Sequence, residues 1–246
     1  MGPTRVRAIE RLATDEPGTG REELIAQIMC GDVSFNGQTV RDPKELVPAS
    51  STVTYREAGF VGRGGIKLDH ALDLWDVNVS GKVVLDAGAS TGGFTHALLL
   101  RGAAAVHAVD VGYNQLAYSL RVDPRVIVHE RTNVTELTAL NPRPHFAVAD
   151  LSFRSLSGAA AHLLDLTTEG WAIVLLKPQF EWRDPNLEFD GRVPEDAVDE
   201  IVRSTLELLS GEGVFAHATT ESPIRGASGN REFLVLVSAG PDAPTN

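Results

Sequence analysis

The sequence predicts an α/β fold: a mostly parallel sheet with helices on both faces, preceded by a small α+β module. Three observations predict it. Short apolar runs alternate with helical stretches from residue 65 onward. Four of those runs close on a charge, "KVVLD" on Asp86, "AAVHAVD" on Asp110, "HFAVAD" on Asp150 and "AIVLLK" on Lys177. The first 58 residues follow a different pattern, a helix and then a hairpin. In a parallel sheet the ligand crevice lies outside the carboxyl ends of the strands, so the four charges stand where chemistry is expected.

Residues 1–58 form the first module. "REELIAQIM" sets Leu24, Ile25, Ile28 and Met29 at helical spacing, which predicts one apolar face. "DVSFNGQTV" predicts a hairpin turning at Asn36-Gly37, because that dipeptide accepts the positive φ of a two-residue turn. "SSTVTY" adds a strand, and "ATDEPGTG" reads as loop. A linker at 59–64 leads to the second domain, 65–240, with a tail at 241–246. Its elements are a helix at about 65–75, a strand at 82–86, a helix at 93–101 and a strand at 105–110. A helix at 114–120 and strands at 126–129 and 145–149 follow. A helix at 155–165, a strand at 171–176, a helix at 195–209 and strands at 213–219 and 232–238 complete it.

Composition narrows the function classes. The chain has 246 residues, 43% apolar and 22% charged, which suits an ordinary globular core. There is no apolar run of about 18 residues, so no membrane span is expected. The start, "MGPTRVRAIERLATDEPGTG", lacks the apolar centre of a signal peptide. A lone cysteine, Cys30, excludes an intrachain disulfide and a cysteine zinc cluster, and its expected role is a small core residue. No metal site is expected, and a cytoplasmic location is. The net charge of −11 argues against a general nucleic-acid coat and leaves room for a local basic patch.

"VVLDAGASTGGFTHALLLRG" is a strand, a glycine-rich turn and a helix. Gly88 permits a tight turn, and Gly92 and Gly93 are expected to let a ligand approach the backbone. The pattern D-x-G-x-x-x-G-G is a poor match to the dinucleotide fingerprint. Asp110 closes the next strand, where an acid accepts both hydroxyls of a ribose. S-adenosylmethionine, an adenosine cofactor without a pyrophosphate, fits this best; a nicotinamide cofactor is the minor option, and a turn with no ligand the bland one. The polar "ERTN" after the third strand can hold an adenine edge or simply cap a helix. Asp150, Lys177 and Glu232 gather at strand ends, as catalytic groups or as a surface salt bridge.

"GRGGIKLDHAL", the glycine turn with its flanking strands, "ADLSF", "LLKPQFE" and "SPIRGASGNREFL" resemble the TlyA (hemolysin A) family, and the similarity runs from residue 61 to 238. These are ribosomal RNA ribose 2'-O-methyltransferases with an FtsJ-like domain behind an S4-type RNA-binding domain. The resemblance implies a Rossmann-like class I methyltransferase sheet with its last strand antiparallel, and a degenerate S4-like module at 1–58. It implies a catalytic set of Lys67, Asp150, Lys177 and Glu232. It places S-adenosylmethionine, and its product S-adenosylhomocysteine, against Asp86, Gly88, Ala89, Ser90, Thr91, Gly92, Gly93 and Phe94. It adds Asp110, Val111, Thr132, Asn133 and Asp150 to that contact set. Arg63, Arg21 and Arg225 would touch substrate RNA.

The chemistry is coherent with that set. A ribose hydroxyl is a weak acid and needs activation. A lysine can polarise it, or take its proton when burial and a neighbouring cation favour the neutral amine. Lys177 is expected as the base and Lys67 as the residue that orients the substrate, with Asp150 and Glu232 holding them. Positioning of oxygen, methyl carbon and sulfur in line supplies much of the rate.

Other function classes were weighed on the same residues. The seven basic and nine acidic residues of 1–60 motivate an alternative, the same fold turned to a small molecule of specialised metabolism, by methyl transfer or other chemistry, with the first module docking a partner protein. "FEWRDPNLEFDGRVPEDAVDEIV" reads as a solvated loop or as a reshaped lid over the acceptor pocket. A cytolytic protein would need a membrane-active helix, and none is legible.

Overall fold

The computed structural model of the chain describes residues 4–31, 33–55, 59–152, 155–182, 191–226 and 228–242. It divides into two compact units, Met1–Val61 with Ala117–Ser119, and Gly62–Leu116 with Leu120–Asn246.

The first unit runs β1 (Arg5–Arg7), α1 (Ala8–Asp15), α2 (Arg21–Cys30), β2 (Val33–Phe35), β3 (Gln38–Thr39), β4 (Leu46–Pro48) and β5 (Val53–Tyr55). The predicted hairpin joins β2 and β3, with Asn36 at φ +53 and Gly37 at φ +77. β5 pairs with β2 on its other side. Leu24 and Ile28 are buried as predicted, and Ile25 is half-buried. Met29 corrects the expected face: it is 53% exposed, one residue past the four-residue spacing that aims Leu24 and Ile28 inward. The loop expected from residue 13 starts later. Helix α1 continues to Asp15, anchored by Ala8, Ile9 and Leu12 in the core, and the Glu10 carboxylate accepts from the Arg7 N–H to cap it.

The second unit opens with α3 (Gly64–Leu74), β6 (Val83–Ala87), α4 (Gly93–Leu100), β7 (Ala105–Asp110), α5 (Tyr118–Arg121) and β8 (Val126–Glu130). It continues with β9 (Phe146–Ala149), α6 (Ala159–Asp165), β10 (Trp171–Leu176), α7 (Pro178–Glu181), α8 (Glu195–Gly211), β11 (Phe215–Glu221) and β12 (Phe233–Ser238). Two predicted helices are shorter than expected. Asn114 at φ +56 interrupts the first, and Gly158 at φ +73 delays the start of α6. Ser155 and Leu156, expected in that helix, are instead tied by their Oγ–H and N–H to the Glu181 carboxylate at 2.5 and 2.7 Å.

Seven strands form one sheet in the order β11-β12-β10-β9-β6-β7-β8. The strands β6 to β10 run parallel, and β12 is antiparallel to both its neighbours. All six residues of β10 are buried, the signature of a strand covered on both faces. Each large side chain so buried contributes roughly 2 kcal/mol. Leu85, Ala147, Val174 and Leu176 face α6 and α8 within one apolar cluster. The chain leaves β6 toward β7 and β8, then returns to pair β9 on the other side of β6. That reversal opens a crevice between the carboxyl ends of β6 and β9.

Candidate active site

Register places the charges. Asp86 pairs with Ala108 of β7 and Val148 of β9. Asp110 and Asp150 lie two residues beyond those partners, so all three carboxylates share one face of the sheet. Asp86 is fully buried in the middle of the three. Thr95 Oγ–H, from α4, donates to its Oδ2 at 2.6 Å, and Oδ1 has no partner. Burial pushes the Asp86 carboxyl up to about 7; the Thr95 hydrogen bond opposes this, and the charges of Asp150 and Asp110 add to it.

Gly88 carries the turn after β6. Its φ is +82, and a Cβ there would sit 2.4 Å from the Asp150 carbonyl oxygen. Only glycine admits both the conformation and the approach. Asp110 accepts from the backbone N–H of Ser90 at 2.8 Å and of Gly112 at 2.6 Å. These bonds lock the acid's orientation, and a carboxylate keeps further acceptor capacity for hydroxyls.

A cavity of about 590 Å3 opens at these strand ends. Of the residues expected to hold a cofactor, Gly88, Ser90, Asp110, Val111, Thr132, Asn133 and Asp150 line it. Asp86, Ala89, Thr91, Gly92, Gly93 and Phe94 are not among its lining residues. The lack of a side chain at Gly92 and Gly93 also serves packing. A Cβ on Gly92 would meet Leu120 Cδ1 at 2.2 Å, and one on Gly93 would meet the Gly65 nitrogen at 2.8 Å. Gly93 therefore lets α4 sit directly against α3, the helix that carries Lys67. The lining also includes Gln115, Leu151 and Ser152, which sequence reasoning missed. Ser152 was signalled by its place in "ADLSF", two residues past Asp150.

The four expected catalytic residues form two ion pairs. Lys177, just beyond β10, has Nζ 2.5 Å from Asp150 Oδ1, a contact without hydrogen-bond alignment. It also donates to Ser152 Oγ at 3.2 Å, and stands 5.5 Å from the centre of the Phe180 ring. Lys67 donates to Glu232 Oε2, and both side chains are buried. Phe233 pairs with Leu176, so Glu232 and Lys177 occupy the next register position of neighbouring strands. Two buried lysines thus each have their own carboxylate, register brings the two pairs next to one another, and Asp150 of one pair lines the cavity. Burial of an ion is costly and is sustained by such pairing.

The donor set suits S-adenosylmethionine. Asp110 can accept two ribose hydroxyls, and three carboxylates on one face, two of them with an oxygen that lacks a hydrogen-bond partner, favour a ligand bearing positive charge. Of the expected substrate contacts, Arg63 donates to the Arg225 carbonyl at 2.8 Å, and Arg225 pairs with Glu195 at 2.6 Å. Arg21 opens α2 in the first unit and is exposed.

Residues 60–239 match the family model of the FtsJ-like methyltransferases. The chain belongs to that family. It is 39% identical over 249 residues to the 16S/23S rRNA (cytidine-2'-O)-methyltransferase TlyA of Mycobacterium tuberculosis, covering 97% of this chain and 91% of the relative. It is 35% identical over 213 residues to Hemolysin A of Brachyspira hyodysenteriae, covering 84% and 89%. A solved structure, a presumed hemolysin from Streptococcus thermophilus, superposes with a TM-score of 0.71 at 31% identity, covering 100% of this chain and 92% of that one. This FtsJ-like chain is an S-adenosylmethionine-dependent methyltransferase. Among its described residues no helix is long and apolar enough to cross a membrane.

Proposed function

We propose that this enzyme methylates a ribose 2'-hydroxyl of ribosomal RNA, working on a ribosomal subunit in the cytoplasm. The observation that carries the reading is the Lys177–Asp150 contact, whose carboxylate lines the cavity, with the buried Lys67–Glu232 pair brought next to it by register. Support comes from the similarity to TlyA, whose name states 2'-O-methylation of a cytidine in rRNA.

The cofactor, when bound, supplies an electrophilic methyl group. The chain supplies the rest. Gly88, Ser90, Asp110, Val111, Thr132 and Asn133 hold the nucleoside portion. Lys67, fixed by Glu232, orients the acceptor ribose. Lys177 binds the hydroxyl oxygen through an N–H, which stabilises developing negative charge. To act as the base, Lys177 first releases a proton to solvent, after which Nζ can take the hydroxyl proton while Asp150 keeps the side chain in place. The first unit is assigned as an S4-like module that holds RNA, with Arg21 among its contacts, and Arg63 and Arg225 touch RNA from the second unit.

The test is transfer of labelled methyl from S-adenosylmethionine to purified ribosomal subunits, with the Lys177→Ala protein as control. Incorporation into RNA that the variant lacks is the expected result. Cofactor binding without incorporation into RNA would turn the assignment toward a small-molecule acceptor.

A further inference from the structure

Asp86 is an expensive residue to place where it is. It is fully buried, its Oδ1 has no partner, and the hydrogen bonding that supports it comes from the uncharged Thr95. Asp110 from β7 and Asp150 from the end of β9 face it with like charge. The ammonium of Lys177 is engaged by Asp150. From α4 the neighbouring group is Thr95, which is uncharged. Lys67 on α3 is occupied by Glu232, and His107 lies on the opposite face of β7, paired in register with Leu85. So the charges nearest Asp86 are the two carboxylates, whereas Asp110 and Asp150, but not Asp86, line the cavity.

Such an arrangement is stable only if one carboxylate is neutral or if a cation joins the group. The buried member is the one that stays neutral. A cation entering the cavity would change that balance, because charges interact strongly where water is excluded. We propose that Asp86 is the charge-selecting residue of the cofactor pocket: it carries a proton in the ligand-free protein, ionises when a sulfonium ligand enters, and so favours the sulfonium cofactor over its thioether product. The inference rests on the assignment of the cavity to S-adenosylmethionine. In the proton balance, Asp86 releases one proton to solvent on cofactor binding. Methyl transfer then removes the sulfonium charge while the acceptor hydroxyl yields its own proton, and Asp86 takes one back. Loss of that attraction loosens the product and helps it leave.

Burial pushes Asp86 up to about 7, which puts this exchange within reach of neutral solution. The experiment is isothermal calorimetry on the full chain with S-adenosylmethionine and S-adenosylhomocysteine, in buffers of different ionisation enthalpy. The ammonium and carboxylate are common to both ligands, so the difference isolates the sulfonium. S-adenosylmethionine should tighten about fivefold between about pH 6 and 7 and about tenfold in all by about pH 8, levelling off above, with close to one proton released on the acid side. S-adenosylhomocysteine should change less than about threefold over the same range. Asp86→Asn should make both affinities flat with pH and weaken S-adenosylmethionine about tenfold at about pH 8. The wild-type proton count stands as a test even if that variant does not fold. Binding of S-adenosylmethionine without proton release, or equal release for both ligands, overturns the inference and leaves the cofactor assignment intact. No binding of either ligand overturns the cofactor assignment and this inference with it.

Discussion

Lys177 and Asp150 close two adjacent parallel strands and meet there, Nζ 2.5 Å from Oδ1. Their backbone positions follow from sheet register, and their contact places a cation at the mouth of the cofactor cavity. Lys177→Ala should lower methyl transfer about a thousandfold while cofactor affinity stays within a few-fold. Single-turnover kinetics and equilibrium binding measure the two separately. A comparable loss in both would mean that Lys177 belongs to the cofactor site instead.

The Lys67–Glu232 pair is buried on both sides. Glu232→Gln leaves the Lys67 ammonium without its carboxylate, and should destabilise the fold by about 3 kcal/mol. Replacing both by Met and Leu should recover most of the stability, since well-packed apolar residues serve a core as well as an ion pair does. That double variant should remain inactive. Thermal unfolding and methyl-transfer assays on the two proteins check this, and an active double variant would remove Lys67 from the mechanism.

Two glycines of one turn should fail differently. Gly88→Ala forces a Cβ to within 2.4 Å of the Asp150 carbonyl at a positive φ, so it should weaken cofactor binding at least tenfold. Gly93→Ala pushes α4 against α3, which carries Lys67, so it should lower kcat more than cofactor affinity. Reversal of that split would contradict the placement of the cavity.

Stability should carry the mark of Asp86. Its folded value near 7 lies above the roughly 4 of an unfolded aspartate, so the folded protein holds an extra proton between them. The contribution is full below about pH 4 and is lost as pH rises toward about 7. Asp86→Asn should therefore gain relative to the wild type as pH rises across that window. Melting temperatures of the two proteins measured without ligand, at about pH 5 and about pH 8, test the sign.

Ser152 lines the cavity and holds Lys177 from the side opposite in sequence to Phe180. Ser152→Ala should shift the pH profile of kcat with little change in cofactor affinity, and Ser152→Thr should restore it. A uniform loss at every pH, unrescued by Thr, would reduce Ser152 to a packing role.

Much of this was legible in the sequence. The strand ends showed themselves because an apolar run that stops on Asp150 or Lys177 announces both a buried strand and its exit. The Asn36-Gly37 turn was legible because its chemistry is local. The limits were equally physical. Helix boundaries at Asn114 and Gly158 depend on single backbone torsions that periodicity does not register. Gly92 and Gly93 were legible as close-approach glycines, but spacing alone did not show that neighbouring helices are among what approaches them. The position of Ser152 in "ADLSF" was a signal, but its role was not legible, because it arises from a lysine 25 residues away. Of the stretch read as a solvated loop or a lid, residues 183–190 lie outside the described residues, and Glu195 to Val202 begin α8.

The most direct test of the account is nucleoside mass spectrometry of ribosomal RNA after incubation with the enzyme and S-adenosylmethionine. A new 2'-O-methylribonucleoside, absent with Lys177→Ala, is the predicted product. A methyl group on a base, or RNA left unmodified by protein that binds the cofactor, would contradict it.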